Sequence, residues 1–176
     1  MCACSSDDEI LLQESAPISF NNVDVELWPF YAAFEVEAAK RNIHYDLNAL
    51  KITGTIVALH QGNVAGVCSY SSNLPNAVEI DTDFWNRAPD LIKEMVVFHE
   101  LGHCVIGRNH YEATDENGVC LSVMRSGISG CRDNYTDISR SQYLIELHQK
   151  LLVEFPFLKS KYYVVNRLFR HIHTYE

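Results

Sequence analysis

The chain has 176 residues, of which 47% are hydrophobic and 21% charged, a globular composition sized for one domain with a sizeable core. Fourteen Lys and Arg against 23 Asp and Glu leave a net charge of −9, which argues against nucleic-acid binding, because that requires a cationic face. No apolar run approaches the ~18 residues that a membrane-spanning helix needs.

In chain order, residues 1–22 are polar and read as a flexible tether. Residues 1–15 lack the apolar region of a signal peptide. Yet Met1-Cys2-Ala3-Cys4, followed by the acidic Asp7-Asp8-Glu9, looks like the end of a bacterial lipoprotein signal, with Cys4 as the lipidated residue. Residues 25–41 carry Leu27, Phe30, Tyr31, Phe34 and Ala38 at helical spacing, with Asp24 as N-cap and Pro29 in the first turn. Residues 50–60 are rich in β-branched side chains and read as a strand. Gln61-Gly62-Asn63 is a turn, residues 64–70 a second strand, and residues 77–81 a short third one after a turn around Pro75. Asp81 and Asp83 read as a solvated turn. Pro89-Asp90 opens a long helix to about residue 106, which Gly107 can end in the left-handed conformation. Residues 108–138 are loop-rich, and Ser139 caps a last helix through about residue 152. Residues 150–176 are aromatic and hold five basic side chains against two acidic ones, which reads as further, solvated helix.

The expected architecture is a single mixed α+β domain with a small sheet. Its divisions are a tether at 1–22, a domain at 23–153 and a basic extension at 154–176. Six cysteines exceed what a reduced cytosolic chain of this size carries. Cys120 and Cys131 lie eleven apart in a Gly/Ser/Asn-rich stretch, where a bridge would staple a loop. Cys104 reads either as a small buried residue or as a partner for Cys68.

His99-Glu100-Leu101-Gly102-His103 carries the chemistry. Two histidines at i and i+4 project from one helix face and can bind one metal ion together. Glu100 can then take a proton from a metal-activated water. Gly107 turns the chain back, and His110 follows three residues later as the expected third ligand, ahead of Asn109, Glu112 or Asp115. Ser122-Val123-Met124-Arg125 lies further on.

This order of features resembles the metzincin clan of zinc endopeptidases: the HExxH helix, a glycine turn, a third histidine and a downstream methionine turn. The likeness extends to small bacterial zinc-metallopeptidase lipoproteins. It runs over residues 20–148 through Glu26-Leu27-Trp28-Pro29, Asp83-Phe84-Trp85, Met124-Arg125-Ser126-Gly127 and Asp133-Asn134-Tyr135. The resemblance implies a zincin-like fold with Zn2+ on His99, His103 and His110, Glu100 as general base and Met124 as an apolar floor. It also implies an extended peptide or protein substrate on an edge strand at residues 76–80, with Arg125 near the pocket. The clan's spacing, however, would place glycine and histidine at positions 106 and 109, which here hold Ile106 and Asn109. Gly107 and His110 are each one residue late, with Gly-x-x-His intact.

The sequence therefore points to a zinc-dependent endopeptidase, or alternatively to a zinc-bearing peptide-binding module with little proteolytic activity. In either case it belongs in a bacterial cell envelope or outside the cell, touching a membrane only through a lipid on Cys4.

Overall fold

A computed structural model describes residues 18–60, 62–69, 76–127 and 130–154. The expected lipid anchor at Cys4 and the basic extension beyond residue 154 lie outside them. A 3-10 turn at Val25–Leu27 leads into helix α1, Trp28–Ala39, with Pro29 in its first turn, where a proline's missing N–H costs nothing. Strands β1 (Thr53–Val57), β2 (Gly66–Ser69) and β3 (Ala77–Asp81) follow, then helices α2 (Thr82–Arg87), α3 (Asp90–Leu101) and α4 (Arg140–Glu154). The result is a small mixed α+β domain.

The sheet order is β1-β3-β2, with β1 parallel and β2 antiparallel to β3. Val78 lies opposite both Gly54 and Cys68. Strand 76–80, expected at the sheet edge, is therefore the middle strand among the described residues. Both its hydrogen-bonding sides are taken, and the edge beside it is β2.

Local chemistry explains the other departures. The first strand starts at Thr53 because Lys51 adopts a left-handed φ of 57° and the Ile52 N–H closes a turn on the Leu47 carbonyl. Asp24 does not cap α1. Its carboxylate accepts the Ile56 N–H at 2.7 Å and ties the helix entry to β1. Asp81 ends β3 and starts α2, a short helix missed by the sequence reading: Oδ1 accepts the Phe84 N–H at 2.9 Å and Oδ2 the Leu59 N–H at 3.0 Å. Phe20, within the expected tether, is buried edge-on against Tyr31.

The core lies between α1, the sheet, α3 and α4. Leu27, Tyr31 and Phe34 meet Val78 and Ile80 of β3, Phe98 and Leu101 of α3, and Leu144 and Leu147 of α4, all fully buried. Phe34 and Phe98 pack edge to face at 5.3 Å.

Two disulfides are present among the described residues. Cys120–Cys131 staples the loop as expected, and Cys68–Cys104 joins β2 to the turn after α3. Such bonds persist in oxidising surroundings, which suits an extracellular or envelope location. No helix among the described residues is long and apolar enough to cross a membrane.

Candidate metal centre

Helix α3 buries Met95, Val96, Val97, Phe98 and Leu101, and this anchoring fixes the direction of its last turn. His99 and His103 stand one turn apart with their Nε2 atoms 3.0 Å from each other. His110 closes the group, its ring centroid 5.3 Å from that of His99 and 4.8 Å from that of His103. One ring nitrogen from each histidine lies within 4.8 Å of the others, so the three are close enough to hold one metal ion. His99 is buried and His110 exposed, so the group opens to solvent on the His110 side.

Hydrogen bonds on the far side of the rings set their tautomers. The Nδ1 of His99 donates to the Val123 carbonyl at 2.6 Å, and that of His103 donates to the Arg108 carbonyl at 2.6 Å. A carbonyl oxygen only accepts, so Nδ1 carries the proton and Nε2 a lone pair. Burial disfavours the charged rings, lowering the His103 pKa and pushing that of His99 down to about 4. Two lone pairs thus face each other across 3.0 Å, an arrangement that repels unless a cation lies between them. The donor set fits a metal ion.

The helix leaves α3 through a π-helical turn at Gly102–Ile106. Such a turn holds one more residue than an α-turn, and this sets how far along the chain Gly107 and His110 fall. Gly107 then reverses the chain at φ 72° and ψ 28°, as expected, a conformation that is strained for residues bearing a Cβ. The Arg108 N–H bonds back to the Gly102 carbonyl at 3.0 Å, and the Asn76 side chain caps the Cys104 carbonyl at 2.5 Å.

Met124 is fully buried beneath the helix. A Cβ added to Gly102 would lie 2.5 Å from its sulfur, so the glycine permits close contact between helix and methionine turn. The Tyr111 N–H donates to the Met124 carbonyl at 2.8 Å, which ties the segment bearing His110 to the same turn.

The Glu100 carboxyl lies against β2. It faces the Cys68 backbone, and a Cβ on Gly66 would come 3.0 Å from its Oε1. Burial raises its pKa to about 8, against a smaller lowering by the Cys68 amide.

The alternative third ligands are occupied elsewhere or stand aside. Glu112 accepts the Ser126 N–H and pairs with Arg125 at 3.6 Å, and Asp115 closes its own turn by accepting the Asn117 and Val119 N–H groups. Asn109 lies beside His110 along a surface cavity. Tyr135 is buried, its hydroxyl donating to Glu94 at 2.7 Å.

Three contributors escaped the sequence reading: Arg108, Ser122 and Glu146, all polar and linked to one another. The only local signals were an arginine beside the glycine turn and a serine beside the methionine. No protein-family model matches the chain, and comparisons with curated proteins and with solved structures find no match.

Proposed function

We propose that the protein is a zinc-dependent endopeptidase of metzincin-like design. The observation that carries this reading is the pair of Nε2 lone pairs on His99 and His103, 3.0 Å apart and joined by His110. Three imidazoles without a thiolate suit zinc, and three protein ligands leave a coordination position for catalysis. A zinc ion held there would supply Lewis-acid polarisation of a carbonyl group and of a water molecule.

The chain's own residues supply the rest. The Glu100 carboxylate, whose ionised form a cation held by the three histidines would favour, accepts a proton from the attacking water as that water's oxygen bonds to the carbonyl carbon. The same carboxyl then gives that proton to the departing amine nitrogen as the C–N bond breaks. An extended peptide would lie along β2, the sheet edge nearest Glu100, and add main-chain hydrogen bonds there. The disulfides suit work outside the cytoplasm, with Cys4 as the lipid tether.

Elemental analysis of the full chain and of His110→Ala, followed by a peptide-library digest with Glu100→Gln, tests this. The expected result is one zinc per chain, weakened in His110→Ala, with cleavage falling about 10²–10⁴-fold in Glu100→Gln while zinc is retained. No zinc after reconstitution would overturn the reading. Zinc without cleavage would leave a peptide-binding module.

A further inference from the structure

We propose that Glu146 of α4 is the positioning residue of the metal centre, aiming both helix histidines through two separate arms. The inference rests on reading His99, His103 and His110 as ligands. One arm runs through Arg108, which is buried. Its guanidinium donates to Glu146 Oε1 at 2.5 Å and to the carbonyls of Glu146 and Leu147 at 2.9 and 3.1 Å. Its own carbonyl accepts the His103 Nδ1–H. The other arm runs through Ser122, whose hydroxyl donates to Glu146 Oε2 at 2.5 Å and accepts the Met124 N–H at 3.0 Å. Between Ser122 and Met124 stands Val123, whose carbonyl accepts the His99 Nδ1–H.

A carboxylate suits this place because both its oxygens accept. One takes an Arg108 N–H and the other the Ser122 hydroxyl. A glutamine of the same size loses the charge opposite the buried Arg108, and its amide would have to donate to Ser122 Oγ, which reverses that arm. Both ligand supports therefore converge on one side chain of a helix that carries no ligand.

The test uses the full chain loaded with cobalt(II), with affinity read by competition against a chromophoric chelator and geometry read from the cobalt absorption spectrum. Partners of ligating histidines are typically worth about 10–100-fold in metal affinity. Glu146→Gln and Ser122→Ala are each expected to weaken binding by about that much and to alter the spectrum. Glu146→Asp, which keeps both acceptors, should recover part of the loss. Glu94→Gln, in the ion cluster at the other end of α4, serves as the stability control. It should lower thermal stability while leaving cobalt affinity and spectrum unchanged. Should Glu146→Gln fail to fold, Ser122→Ala decides the matter, because it leaves the Arg108–Glu146 pair in place.

Wild-type affinity and spectrum in Glu146→Gln, or in Ser122→Ala where that decides, would overturn the proposal. So would an equal loss of affinity in Glu94→Gln, which would reduce the effect to general stability. A wild-type chain that takes up no cobalt would instead overturn the metal reading itself.

Discussion

Helix α4 is pinned by two arginine–glutamate groups of similar chemistry and different consequence. At its start, Arg140 forks onto Glu94 of α3 at 2.6 and 2.8 Å and reaches Glu37 of α1 at 2.9 Å, with Tyr135 and Arg41 completing the cluster. Further along, Glu146 meets Arg108 and Ser122. The first group joins three helices, each rigid in its own right. The second joins a helix to two loops whose carbonyls hold the histidines. Similar ion pairs thus fix a scaffold at one end and aim side chains at the other, according to what the partner backbone carries.

The largest effect expected from breaking this comparison is on the scaffold side. Arg140→Ala takes from Glu37 and Glu94 the cation they share; Arg140 is only partly buried and Glu37 keeps Lys40 and Arg41, so the cost is about 2–3 kcal/mol, below that of a fully buried pair. Burial works to raise the Glu37 pKa, but hydrogen bonds from Lys40, Arg41 and Arg140 outweigh it and hold the value at about 2. Urea denaturation should show the loss, while metal affinity of the folded chain stays put. A parallel fall in affinity would mean the two groups act as one.

Further along α4 lies His148, fully buried beside Phe34 and Tyr45, with no hydrogen-bond partner for either ring nitrogen among the described residues. Burial pushes its pKa down to about 4. The unfolded histidine takes a proton near pH 6.5, whereas the folded one resists until about pH 4. Its contribution is therefore complete above pH 6.5 and is lost as pH falls towards 4. Glu100 acts in the opposite sense, since its raised pKa favours the folded state as pH drops from about 8 to 4.5. Comparison with His148→Leu isolates the histidine. Between pH 7.5 and 5.0 the metal-free wild type should lose about 2 kcal/mol more than the variant. Parallel curves would refute the assignment.

The smallest effect on stability belongs to Gly102→Ala, about 1 kcal/mol, because the methionine side chain facing the new methyl can shift. Its interest lies in the metal. The shift disturbs the turn bearing Val123 and should weaken cobalt binding, which Arg140→Ala leaves intact. Unchanged cobalt binding in Gly102→Ala would show that the methionine turn absorbs the methyl without moving its carbonyl.

What could be read from the sequence was what repeats locally. The α3 periodicity placed His99 and His103 on one face, and Gly107 with His110 marked the return of the chain. The six-residue α2 was too short to show a period and left only Asp81 as a cap signal. The central position of β3 was invisible because strand order depends on pairing between distant segments. Arg108 and Ser122 lie 38 and 24 residues from Glu146, so no spacing rule connects them. The staple between Cys120 and Cys131 was legible from its loop, whereas Cys68 and Cys104 meet only because β2 folds back beside α3.

The π-helical turn at Gly102–Ile106 has one further consequence. A count of residues is a length along the chain, and a ligand set is a separation in space. By coiling more widely for a single turn, the backbone decouples the two, as a slack loop of cable lets two fixed terminals accept wires of different length. Chains that share this site's geometry need not share its spelling, and a motif written with rigid intervals would read past them.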